Sequence, residues 1–201
     1  MPFRSVLVSA AVLLALAGAP TPGQAHPHVW VTGAATVHLD GARIGRIGMR
    51  WQFDAFFSQV LMGDFDKNQD GAFDAAETAA MENQVFTSLR DYGYFTHLRV
   101  DGGDVLFDRV ENFVATVDNG ELIYAFDLVP GSPIDAAAAP VQLSVYDPTV
   151  YVDIILGGDT PVKLEGADAA KCGFSFGDGD AITAQDGGYI LPQIVTLTCG
   201  A

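Results

Sequence analysis

Residues 66 to 77 read D-K-N-Q-D-G-A-F-D-A-A-E, and no other stretch restricts the fold of this chain as tightly. They satisfy the calcium-loop pattern D-x-[DN]-x-[DN]-G-x₅-E at every fixed position. Calcium takes six to eight oxygen ligands, and a short loop supplies them only by curling on itself. In that reading Asp66, Asn68 and Asp70 offer side-chain oxygens, Ala72 its carbonyl, Asp74 an oxygen directly or through water, and Glu77 both carboxylate oxygens. Gly71 stands where the sharp turn disfavours a Cβ, and Phe73 is the apolar residue that anchors the loop on a core. A plainer reading gives Asp74 and Glu77 the N-cap and N3 positions of a capping box on the following helix. Both roles fit one geometry, so a loop between two helices is expected either way.

The segments on either side supply those helices. Phe53, Phe56, Phe57, Val60 and Leu61 recur at helical spacing, and Met81, Val85, Phe86 and Leu89 repeat the pattern after the loop, ending near Tyr92-Gly93. The rest of the chain reads as strands. Ala35 to Leu39 and Ile44 to Phe53 flank Asp40-Gly41; Phe95 to Val100 and Asp104 to Phe107 flank Asp101-Gly102-Gly103; Glu111 to Val117 and Leu122 to Val129 flank Asp118-Asn119-Gly120. Val141 to Tyr146 and Val150 to Leu156 form a fourth expected pair around Asp147-Pro148-Thr149. The glycine- and aspartate-rich tail, including Asp178 and Asp180, reads as loop before a last strand at Ile194 to Cys199. The expected fold is α+β: an antiparallel β-sandwich with an EF-hand helix–loop–helix inserted at about 53–92. It occupies a single domain over 26–201.

The first 25 residues read as a signal peptide, with Arg4, an apolar run from Val6 to Ala17, and small residues before a cut after Ala25. The expected location is the periplasm, with no direct membrane anchor. Formal charge is −15, or −16 once Arg4 is removed, which disfavours nucleic acid and anionic surfaces and suits cations. Cys172 and Cys199 are the two cysteines. In an oxidising compartment they are most simply a disulfide; ligation of a metal by the two sulfurs lacks the usual close spacing.

Cleavage after Ala25 leaves His26-Pro27-His28-Val29-Trp30 at the amino terminus. A terminal histidine presents its amine and ring nitrogen together, a chelate suited to nickel, cobalt, copper or zinc, and His28 projects to the same side in an extended chain. Pro27 has no N–H to lose, which excludes the square-planar clamp built on deprotonated backbone nitrogens. His97 is the favoured third ligand, with His38 and Asp147 behind it. Each has an ordinary alternative as a packed or hydrogen-bonded side chain.

His26-Pro27-His28-Val29-Trp30, Trp51-Gln52-Phe53-Asp54-Ala55-Phe56-Phe57-Ser58, Asp64-Phe65-Asp66, Tyr94-Phe95-Thr96-His97 and Tyr146-Asp147-Pro148-Thr149-Val150-Tyr151 together resemble the bacterial periplasmic proteins of domain-of-unknown-function family 1007. Val150 stands where tyrosine is expected, and the tail from Lys171 lies outside the clear match. The resemblance implies a periplasmic component associated with an ABC-type transport system and with nickel/cobalt exporters. It implies no established activity.

The function expected from these readings is a metal-binding accessory protein. Calcium in the loop is structural, and the N-terminal histidines bind or hand over a transition metal to a membrane transporter. The absence of alternating βαβ units argues against a two-lobed solute receptor. No nucleophile elbow, zinc-protease helix or cysteine nucleophile is present, so catalysis is not expected. The alternatives are a calcium-stiffened interaction module without a transition metal, and a copper enzyme acting through a histidine brace.

Overall fold

A computed structural model describes residues 28–184 and 188–200; the expected signal peptide, its cleavage site and His26 lie outside the described residues. The chain is α+β and mostly β. β1 (Val29–Asp40) and β2 (Arg43–Phe53) form the long hairpin that Asp40-Gly41 predicts, with Gly41 at φ +61. Buried and exposed residues alternate along β1, so one face of the hairpin enters the core. β5 (Phe107–Asp118) and β6 (Glu121–Pro130) extend the same sheet, which also holds β7 (Ile134–Asp135), β9 (Val152–Leu156) and β10 (Val162–Glu165).

A second sheet runs in the order β11 (Cys172–Asp178), β14 (Gln193–Cys199), β8 (Val141–Val145), β3 (Thr96–Val100), β4 (Gly103–Val105). A small pair, β12 (Ile182–Thr183) and β13 (Tyr189–Ile190), stands apart. One hydrophobic core draws on both large sheets: Val31, Ile47, Trp51 and Leu128 from the first, Leu98, Val141, Leu143 and Val195 from the second.

Several expectations change here. The first sheet is mixed rather than antiparallel, because β1 pairs in parallel with both β9 and β10. β8 and β9 are not a hairpin. β8 pairs with β3 and β14 in the second sheet, and the chain then crosses at 146–151 to lay β9 beside β1 in the first. The aspartate- and glycine-rich tail holds a strand, β11, where loop was expected, and Asp178 is its last residue. Cys172 and Cys199 face each other across β11 and β14 and form the disulfide, 27 residues apart, for a loop-closure stabilisation of about 3–4 kcal/mol.

Two helices lie between β2 and β3. α1 (Ala55–Phe65) begins at Asp54, whose Oδ1 accepts from the Phe56 and Phe57 N–H groups while its Oδ2 accepts from the Trp30 N–H. One carboxylate thus caps the helix and fixes the entry of β1. The inward face of α1 is Ser58, Leu61 and Phe65; Phe56 and Val60, expected inside, are exposed at 75% and 45%. The fully buried Ser58 hydroxyl bonds the Asp54 carbonyl at 2.7 Å and accepts from the Leu122 N–H at 2.8 Å. A polar pin therefore replaces part of the apolar stripe. α2 (Ala75–Gln84) is shorter than the periodicity suggests, and a 3₁₀ segment, Phe86–Phe95, carries the chain on to β3. Met81 in α2 and Phe86 in the 3₁₀ segment are the deepest apolar anchors of this stretch, each contributing about 1.5–3 kcal/mol on burial.

Candidate metal centre

Residues 66–74 connect α1 to α2 and turn through left-handed conformations at Gln69 (φ +60) and Gly71 (φ +82). Acidic and amide oxygens organise this turn. Asp66 accepts from the N–H groups of Asp70 and Gly71 at 3.2 and 2.9 Å. Asn68 Oδ1 accepts from the Asp70 N–H at 2.9 Å, and Asp70 Oδ1 from the Ala72 N–H at 2.9 Å. Asp74 caps α2 by accepting from the Ala76 and Glu77 N–H groups. Glu77 completes the capping box, its Oε2 accepting from the Asp74 N–H at 3.0 Å.

Glu77 also does what a cap alone does not require. Its Oε1 folds back to accept from the Lys67 N–H at 2.7 Å and the Asn68 N–H at 3.3 Å, and the residue is 7% exposed. The side chain spans the loop from its last position to its second and third. The donor set suits a hard cation in kind, since Asp66, Asn68, Asp70, Asp74, Glu77 and the Ala72 carbonyl are all oxygen ligands. An ionised carboxylate has about four acceptor sites, and two or three N–H groups occupy each of these acids. In arrangement, the loop is closed by its own N–H groups. Among the described residues, no three His, Cys, Asp or Glu side chains stand grouped as a ready set of metal ligands.

The histidines sit apart from that loop, at the two ends of the 146–151 crossover. The His28 N–H donates to the Tyr151 carbonyl at 2.9 Å, and its ring lies 5.1 Å from that of Tyr151. His97 is stacked on Tyr146, with ring centroids 3.8 Å apart, and its Nε2 is 3.1 Å from the Tyr146 carbonyl. Burial lowers its pKa from 6.5 against the opposing pull of that hydrogen bond, favouring the neutral ring. His38 is paired elsewhere, with Nδ1 3.5 Å from Glu165. Asp147 is 3% exposed and accepts from the Thr149 N–H, the Thr149 hydroxyl and the Val152 N–H, so it fastens the crossover.

Asp54 is absent from the sequence-derived set, although an aspartate three residues before Phe57, within the start of the helical stripe, is an N-cap signal. No signal of comparable strength marks the burial of Asp147.

Comparison with known proteins adds kinship and no activity. Residues 11–186 match the family described as protein of unknown function (DUF1007). A Spirochaeta aurantia protein described as an uncharacterized 15.5 kDa protein is 32% identical over 138 residues, covering 69% of this chain and 97% of that protein. An uncharacterized Haemophilus influenzae protein is 23% identical over 142 residues, covering 70% of this chain and 67% of the other.

Proposed function

We propose, on the premise that the chain belongs to the DUF1007 family, that it is an exported metal-binding accessory protein. Residues 66–77 take a structural calcium ion in an EF-hand loop. His26 and His28 take a transition metal as cargo for a membrane transport system in the periplasm. The observation that carries the calcium half is the Glu77 carboxylate, nearly buried and drawn over the Lys67 and Asn68 N–H groups. The last oxygen ligand of the pattern already lies against the loop's beginning. Calcium would draw Asp66, Asn68, Asp70 and Asp74 toward it.

The ion must displace N–H groups from those carboxylates and has no second loop to pair with. Its dissociation constant therefore falls in the weak range of extracellular modules, on the order of 10⁻⁴–10⁻³ M. That range suits a structural ion in a calcium-containing exterior rather than a sensor. Calcium titration by calorimetry tests it: wild type binds one ion, Glu77→Gln binds at least about tenfold more weakly, and a wild type that releases no heat rejects the site.

The cargo half rests on residue chemistry at the amino terminus. Its test is titration of the mature protein with nickel, cobalt, copper and zinc. Affinity lost on His26→Ala and His28→Ala supports the site, and affinity unchanged by both removes it. Loss on His97→Ala as well assigns the third ligand.

A further inference from the structure

The outermost strands of the two large sheets are not protected alike. β5 is broken by register shifts at 107–109 and 111–114 and carries Asp108, Arg109 and Glu111. β4 is three residues long, and β9 and β10, five and four residues, lie end to end along β1. Short strands, bulges and charges are the means by which folded proteins keep an edge from pairing. β11 has none of them. It runs seven residues in unbroken register with β14, and Gly173 to Gly177 holds neither charge nor proline.

The register with β14 shows which groups this edge presents. The Gly200 N–H donates to the Lys171 carbonyl, and the Gly179 N–H to the Pro192 carbonyl, each at 2.8 Å. Odd-numbered residues of β11 therefore turn their backbone groups toward β14, while Phe174 and Phe176 turn theirs outward. Among the described residues, nothing hydrogen-bonds to those outward groups. The two phenyl rings share one face of the sheet and meet edge to face, with centroids 5.8 Å apart. They stand opposite Leu197 and Val195, which are buried, yet remain 38% and 43% exposed. The core-side face of the second sheet thus runs past its cover at β11.

We propose that β11 pairs antiparallel with β11 of a second copy of this chain, about a two-fold axis beside Ser175. In that register Phe174 exchanges both backbone hydrogen bonds with Phe176 of the second copy, and Phe176 with its Phe174, four bonds in all. The same register sets each Phe174 ring directly across from a Phe176 ring, a favourable cross-strand aromatic pair. Charge selects the same arrangement. Lys171 and Asp178 bracket the neutral stretch, so antiparallel pairing brings Lys171 of each copy to the end that holds Asp178 of the other. A parallel pairing would put lysine beside lysine and aspartate beside aspartate. One stretch therefore supplies the donors, acceptors, rings and opposite charges in the order its own inverse requires. Four partly covered rings and one backbone edge are a small area beside the roughly 1,200 Å² of a stable interface, so the dimer is weak and depends on concentration. The surface shares no residue with the 66–77 loop or the histidines, so it is tested apart from any metal.

Sedimentation equilibrium of the mature protein in chelator, from about 10 μM to about 1 mM, spans the range of a weak dimer. Wild type should move from monomer toward dimer, and Phe176→Lys, which puts a charge on the edge, should stay monomeric throughout. Ser175→Cys places two thiols on the axis at a non-hydrogen-bonded pair, with Cα atoms about 4.5 Å apart, within disulfide reach. Gly177→Cys faces Gly173 of the second copy and finds no thiol opposite. Mild oxidation of the folded variants, read on a non-reducing gel, should give at least about tenfold more covalent dimer from Ser175→Cys. The exposed Ser175 keeps the test open should Phe176→Lys fail to fold. A wild type that stays monomeric to 1 mM, a dimer that Phe176→Lys leaves intact, or equal cross-linking of the two cysteine variants overturns the proposal.

Discussion

The loop at 66–77 and the crossover at 146–152 are both turns held by carboxylates that gather backbone N–H groups, yet they differ in where the acids lie. Asp70 and Asp74 are exposed and Asp66 half-buried, and the three stand four residues apart among other oxygen donors. Asp147 is 3% exposed and takes all its donors from its own segment. Acids within reach of solvent are the ones from which the proposed ion would displace N–H groups. A solitary buried carboxylate offers no such exchange, and it stabilises by satisfying groups that would otherwise be orphaned. If the loop takes calcium as proposed, the same hydrogen-bonding chemistry serves a replaceable closure in one place and a permanent one in the other.

The largest break in that comparison is Asp147→Ala. It strands the Thr149 and Val152 N–H groups at the point where the chain changes sheets, and urea denaturation should show a loss of about 3 kcal/mol. Added calcium should leave that loss unchanged. Asp66→Ala should cost about 1 kcal/mol in chelator, because the Asp70 and Gly71 N–H groups it releases lie in an exposed turn that water reaches, and should abolish any stabilisation by calcium. Equal, calcium-independent losses in the two variants would erase the distinction.

A second substitution asks what holds the helices when no ion does. Ser58→Ala removes the acceptor of the buried Leu122 N–H and should cost about 1–2 kcal/mol with or without calcium. A loss that appears only in chelator would make the pin subordinate to the loop.

The smallest effect concerns His97, at the far end of the crossover. Burial lowers its folded pKa below the unfolded value of 6.5, so the unfolded chain takes up the proton first as pH falls. The neutral ring's contribution is complete above pH 6.5, declines as pH drops from 6.5 toward the folded pKa, and levels off below it. Denaturation midpoints across that window should slope in wild type and flatten in His97→Gln. An unchanged slope would assign the titration to other groups.

Much of the architecture was legible because its signals are local. Asp101-Gly102 and Asn119-Gly120 turn at positive φ in both residues, as tight hairpins demand, and Asp74 with Glu77 forms the capping box that its spacing announces. Strand partnership was not legible. Val141–Val145 and Val152–Leu156 alternate alike, and alternation does not say which sheet a strand joins. Only the buried Asp147 and Val150, at φ +62, lie between them to mark the change. The helical stripe misled in part because the inner face of α1 spends a position on Ser58, leaving Phe56 and Val60 outside. Of the candidate site, the loop's oxygen donors could be read residue by residue. Their mutual N–H bonding could not.

The most direct test is thermal unfolding of the mature protein in chelator and in 10 mM calcium, beside Glu77→Gln. With a dissociation constant near 10⁻⁴ M, calcium at that level adds about 2.7 kcal/mol, comparable with the burial of Met81 or Phe86. Wild type should melt roughly 5–10 °C higher, and Glu77→Gln should respond far less. A wild-type melting temperature that is the same in chelator and in calcium would contradict the calcium loop.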